Sequence, residues 1–144
     1  MSTISPHLVV KNAIDAARWY GEVLGAEEIS RLELPGGQVL TIGLRIGDTE
    51  VHLADEHPDM GIVSPVTLGG TYMALQVEID DVDATFERAL SAGATQFHPL
   101  SDTFYGDRAG QFIDPFGHRW GVFKHIRTVA PEEIAAAAAA MFGG

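Results

Sequence analysis

The chain has 144 residues, 46% of them hydrophobic, with 20 acidic and nine basic side chains, no cysteine and a formal charge of −11 at neutral pH. That length holds one domain, or two small modules sharing a core. The missing cysteines exclude disulfides, thiolate metal sites and thiol nucleophiles, and the negative charge disfavours nucleic acid and anionic membranes. No 18-residue apolar run and no basic-then-apolar leader are seen, so the expectation is a cytoplasmic protein without a membrane span.

In chain order, His7-Leu8-Val9-Val10 reads as a short apolar strand. Asn12 is placed to cap a helix with Ala13, Ala17, Tyr20 and Leu24 on one face, and Gly25 stops it. Strands are predicted over 28–34, 39–46 and 50–54, joined by the turn chemistry of Pro35-Gly36-Gly37 and Gly47-Asp48. A strand over 72–77 then opens a second series. Asp80 is placed to cap a helix burying Val82, Phe86 and Ala89, and Gly93 ends it. Strands over 95–99, 109–113 and 119–124 follow, the last two joined by the turn Asp114-Pro115-Phe116-Gly117. Proline and two glutamates at 131–133, then alanines at 135–140, predict a terminal helix that docks on the domain or on a second subunit.

The two halves repeat one order. Leu8-Val9-Val10 matches Leu75-Gln76-Val77 at an offset of 67 (75 − 8), and Leu24-Gly25-Ala26 matches Ala92-Gly93-Ala94 at 68 (92 − 24). The expectation is an α+β fold of two βαβββ modules, 1–60 and 69–127, within one domain over 1–127, followed by a helical tail over 128–144. Each module makes a curved half-barrel sheet backed by one helix, and the two sheets are expected to enclose a cleft.

The segments LVVKNAIDAARWYGEVLGAEE, IGDTEVHLADEHPDMG, VEIDDVDATFERALSAGAT and FYGDRAGQFIDPFGHRW resemble the vicinal oxygen chelate superfamily. Within it they are similar to the PhnB-like branch of the glyoxalase/bleomycin-resistance/dioxygenase group. One scaffold there hosts lyases, epimerases, extradiol dioxygenases and antibiotic-binding proteins, so the resemblance implies a fold rather than an activity.

In metal-dependent relatives the resemblance implies four inward donors, typically His, Glu or Gln, His and Glu. Those places fall on Ser5, His52, Tyr72 and Gly121 of this chain, and only His52 is a good metal ligand. A catalytic divalent ion needs about three protein donors at roughly 2 Å plus an open position. Gly121 also removes the glutamate that the resemblance would make the proton-transfer base. Gly121 therefore reads as room on the cleft floor.

Strand parity places His7 and His52 on the cleft face, and Tyr72, Gln76, Arg119 and Phe123 with them. With Tyr105 from the preceding loop and Gly121, they form the candidate ligand-binding set, suited to a planar organic molecule. No catalytic residue, metal ligand or cofactor is assigned. His7, Glu50 and His52 remain the donor set of the competing reading, a metal-dependent lyase, epimerase or dioxygenase. A third reading uses His7 or His52 as a metal-free general base. Trp19 and Trp120 are expected in the core. Asp107 and Arg108 either orient a ligand or form a loop-fixing salt bridge. The leading expectation is a metal-free binding protein of the antibiotic-resistance type, a homodimer whose partner is a small organic ligand.

Overall fold

The computed structural model describes residues 2–143. Eight strands form two four-stranded mixed sheets, ordered β1-β4-β3-β2 and β5-β8-β7-β6. The first sheet comprises β1 (His7–Val10), β2 (Glu27–Glu33), β3 (Val39–Ile46) and β4 (Thr49–Asp55), with α1 (Ala13–Leu24) between β1 and β2. The second comprises β5 (Ala74–Glu78), β6 (Thr95–Asp102), β7 (Asp107–Ile113) and β8 (Arg119–His125), with α3 (Val82–Ser91) between β5 and β6. β1 pairs with β4 and β5 with β8 in parallel, and the other pairs are antiparallel. The βαβββ repeat is thus present twice with the same strand order.

The chain divides into two compact units, Met1–Met73 with Asp114–His118, and Ala74–Ile113 with Arg119–Gly144. In the first, Asn12 accepts a hydrogen bond from the Asp15 N–H, and Gly25 leaves the helix at φ 70°, where a side chain would be strained. Between them α1 buries Ala13, Ala16, Trp19, Tyr20, Val23 and Leu24. The 3.6-residue period selects Ala16 rather than the expected Ala17, which is half-buried. Leu8, Val10, Ile42, Leu44, Val51 and Leu53 complete this core. In the second unit Val82, Phe86 and Ala89 meet Phe112, Trp120 and Val122. Both tryptophans lie in the core, as expected.

Three differences from the sequence expectation bear on the site, while β2, β4, β7 and β8 shift by only one or two residues. β5 begins at Ala74, so Tyr72 lies outside the strand and is 92% exposed. Asp81, not Asp80, precedes α3, and its carboxylate accepts from the Thr85 hydroxyl at 3.2 Å instead of capping a backbone N–H. β6 continues through Pro99 to Asp102, with register shifts around His98. It is an edge strand, where an absent N–H and a bulge cost little.

In the chain between β4 and β5 lie a 3-10 turn (Pro58–Met60) and the one-turn helix α2 (Pro65–Leu68), neither of which was expected. The Glu56 carboxylate accepts from the Ser64 N–H at 3.0 Å and the Thr67 hydroxyl at 2.9 Å, tying that turn down. The terminal helix α4 (Pro131–Phe142) forms as expected, with none of its residues buried.

Two carboxyls are held below the ordinary carboxylate range: Glu56 by the Ser64 N–H and then the Thr67 hydroxyl, and Asp83 by the Arg108 guanidinium. A depressed folded pKa contributes stability that is present above the unfolded pKa and lost as pH falls through the folded one. Acid should therefore weaken the fold below about pH 4, the ordinary carboxyl range. Urea midpoints measured between pH 6 and pH 3 should fall less steeply in Glu56→Gln and Asp83→Asn than in the parent. Equal slopes would remove these carboxyls as the cause.

Candidate binding faces

Each sheet buries one face against its helix, and period-two alternation sends the remaining side chains to the other face. In the first unit a row crosses that free face in register: His7 opposite His52, His52 opposite Gly43, and Gly43 opposite Ser30. A Cβ at Gly43 would overlap the Ser30 hydroxyl and touch the His52 ring at 3.4 Å, so the glycine lets these two side chains close over it. Glu50 Oε2 lies 3.8 Å from His52 Nε2. The Ser5 hydroxyl donates to the Glu50 carbonyl at 3.3 Å.

A cavity of about 560 Å³ in the same unit is lined by His7, Val9, Pro65, Leu68, Tyr72 and His118 among others. Tyr72 reaches it from the linker, not from a cleft-facing strand. His118 belongs to the turn Asp114–His118 and was not expected at any site. Its Nε2–H donates to the Val9 carbonyl at 2.9 Å, which fixes the ring beside β1. The turn itself is built on Asp114, whose Oδ1 accepts from the N–H groups of Phe116 and His118 at 2.8 and 3.0 Å. Its other oxygen accepts from the Tyr20 hydroxyl of α1. Gly117, at φ 92°, sits against Pro65 and Val66 with no space for a Cβ.

In the second unit the β7–β8 ladder carries four facing pairs on its free face: Asp107/His125, Ala109/Phe123, Gln111/Gly121 and Ile113/Arg119. Gln76 of β5 flanks Gly121 on its other side. A Cβ at Gly121 would meet Gln76 Cγ at 3.4 Å and Gln111 Cγ at 3.7 Å, which is ordinary contact. Gly121 is therefore open where Gly43 is closed. A cavity of about 100 Å³ lies there, lined by Gln76, Tyr105, Asp107, Gln111, Gly121 and Phe123 among others. Arg119 stacks on Phe97, its guanidinium carbon 4.8 Å from the ring centre.

Asp107 and Arg108 separate in role. Asp107 faces the cavity and pairs with His125 Nδ1 at 3.1 Å. Arg108 turns the other way, holding Asp83 through Nε and Nη2 at 2.8 and 3.1 Å and Asp102 through Nη1 at 2.9 Å. Asp107 and Arg108 both lie in β7 and not in the loop expected before it, and the ion pair ties that strand to α3 and to the end of β6.

Gln111 and Phe97 were missed as site residues. Gln111 was legible by parity, because it faces Gly121 across the ladder. Phe97 was not, because the register shift beside His98 sets its direction.

The side chains present do not fit a catalytic divalent ion. Ser5 is committed to a backbone carbonyl, Tyr72 is a solvent-exposed phenol outside its strand, and Gly121 has no donor. Among the described residues no group of three or more histidine, aspartate or glutamate side chains is placed to hold a metal.

Two four-stranded mixed sheets, each in βαβββ order and backed by one helix, define an α+β fold class. The chain belongs to the Glyoxalase/Bleomycin resistance protein/Dioxygenase superfamily, whose family profile matches residues 3–122. The uncharacterised protein Mb0911c of Mycobacterium bovis is 42% identical over 137 residues, covering 93% of this chain and 90% of its own. TioX from Micromonospora sp. ML1 superposes with a TM-score of 0.66 at 26% identity, covering 88% of this chain and all of its own. The fosfomycin resistance protein FosX from Listeria monocytogenes, solved with Mn(II) and sulfate, has a TM-score of 0.66 at 18% identity, covering 95% of this chain and 98% of its own. The last of these likenesses concerns the fold alone. No helix among the described residues is long and apolar enough to cross a membrane.

Proposed function

We propose that the protein is a metal-free small-molecule-binding member of this superfamily, of the antibiotic-sequestering type and the PhnB-like branch. It acts as a cytoplasmic homodimer, without cofactor and without nucleic-acid or membrane partners. The observation that carries this reading is the donor set. Serine, an exposed tyrosine and a glycine stand where three of four metal ligands are expected, while the free sheet faces offer amides, imidazoles, an arginine and aromatic rings. Ligand contacts are assigned to His7, His52, Tyr72, Gln76, Tyr105, Arg119, Gly121 and Phe123. The branch assignment rests on the quoted sequence segments and the Pro-Glu-Glu tail helix.

Elemental analysis of protein purified without chelator or affinity tag should find no stoichiometric divalent metal. A bound equivalent, lost in His52→Ala and accompanied by product formation in the parent, would make the protein a metal-dependent lyase, epimerase or dioxygenase. Light scattering should give a dimer at micromolar concentration, and a stable monomer would remove that part of the reading.

His7 and His52 should contribute hydrogen bonds and shape rather than an indispensable step. A buried hydrogen bond contributes about 0.5–1.5 kcal/mol net, and an orphaned partner costs about 1–3. Either alanine substitution should weaken binding roughly tenfold to a hundredfold, since 1.4 kcal/mol is a factor of ten. The readout is the Kd of the compound giving the largest thermal shift in a screen of aromatic antibiotics and metabolites. Unchanged affinity in both variants would take the histidines out of the site.

A further inference from the structure

We infer that the free face of the second unit is a receptor for planar organic carboxylates, with Arg119 as the anion anchor. The inference deepens the binding reading above and rests on it. Among the described residues only two buried side-chain polar atoms lack a partner, Gln111 Oε1 and Arg119 Nε. Both belong to the same face. Gln111 and Arg119 occupy successive cross-strand pairs of the β7–β8 ladder, diagonal neighbours within reach of one small molecule. Native proteins satisfy nearly all such groups, so two orphans side by side mark a place where something else completes the network.

Arg119 Nε is a donor and Gln111 Oε1 an acceptor, so the arginine, not the amide oxygen, is the group that calls for an anion. Arg18, Arg31, Arg45, Arg88 and Arg108 each have a carboxylate within 4.0 Å, whereas half-buried Arg119 has none among the described residues. Arg127 also lacks an acid among the described residues but is exposed, so what distinguishes Arg119 is being half-buried and unpaired in a chain of charge −11. The guanidinium carbon lies over the Phe97 ring, 4.8 Å from its centre, and among the described residues the Arg119 Nη groups have no acceptor. That leaves the planar N–H fork that matches a carboxylate in two parallel hydrogen bonds. The Gln111 Nε2 amide group, 3.8 Å from the Cβ position of Gly121, adds a neutral donor beside it. Gly121 removes the side chain from between them, and Phe123 and Tyr105 supply an apolar wall for an aromatic body. At the far end of the ladder, Asp107 repels a second anion, which orients the ligand with its carboxylate toward Arg119.

The test is calorimetry with 2-naphthoate and its neutral isostere 2-naphthamide, on the parent, Arg119→Gln, Arg119→Lys and Arg127→Gln, each checked for an unchanged thermal midpoint. Arg127 is exposed, has no ion pair among the described residues, and controls for net charge. Naphthoate should bind the parent at least tenfold more tightly than naphthamide. Arg119→Gln should erase that preference, Arg119→Lys should restore part of it without the bidentate fork, and Arg127→Gln should stay within twofold of the parent. Equal affinity for acid and amide, equal losses in Arg119→Gln and Arg127→Gln, or no naphthoate binding to the parent would each overturn the assignment. Naphthamide binding without a carboxylate preference would overturn the anchor and leave the metal-free reading standing. A stoichiometric metal with intact carboxylate preference would do the reverse.

Discussion

Asp114→Ala should lower the stability of the protein by about 2–6 kcal/mol, a large share of what holds a domain folded. Asp114 is 4% exposed, and its carboxylate accepts from two backbone N–H groups of its own turn and from the Tyr20 hydroxyl. Alanine leaves all three donors without that acceptor, two of them buried, at about 1–3 kcal/mol for each buried donor that finds no substitute. Total stability of a domain is only about 5–15 kcal/mol. Asparagine keeps one acceptor oxygen, so Asp114→Asn should cost less, and Tyr20→Phe less again because the turn's own bonds survive. Urea denaturation of the three variants should give that order. An Asp114→Ala midpoint close to the parent's would show that the turn is held without this carboxylate, by the His118–Val9 bond and the packing of Phe116 and Gly117. The consequence reaches the site, because this turn positions His118 beside His7 in the larger cavity.

Gly121→Glu should weaken 2-naphthoate binding more than about a hundredfold, or roughly 2.7 kcal/mol, without creating a metal site. The new Cβ fits, since its nearest neighbours lie at 3.4 and 3.7 Å, so the protein should fold. The carboxylate beyond it would fill the cavity of about 100 Å³ between Gln76 and Gln111. It would also stand two residues from Arg119 on the same strand face, about 6–7 Å away, where it competes as an internal anion. Zinc and nickel titrations should show no tight binding, because Ser5 and Tyr72 remain poor donors. Tight metal binding by this variant and not by the parent would show that only the glutamate was missing. Naphthoate binding at parental strength would place the ligand elsewhere.

The sequence by itself determined the repeat, the fold class and most element boundaries of this protein. The signals there are local: Asn12 and Gly25 bracket one helix, glycines mark the turns, and alternation in β8 separates Trp120 and Val122 from Arg119, Gly121 and Phe123. Parity also put His7 and His52 on one face, because period-two alternation is a property of the strand alone. Tertiary structure decided the rest. Where β5 begins depends on its partner β8, and that boundary takes Tyr72 off the strand and places it over a cavity in the first unit. The emptiness of Gly121 and the closure of Gly43 are indistinguishable as letters, and differ only in whether a serine hydroxyl or two flexible glutamines stand beside them. Gln111 and Arg119 look like ordinary polar residues until the ladder register sets them on one face and every partner around them has been counted. A hydrogen bond that is absent is a long-range fact, and no run of neighbouring residues encodes it.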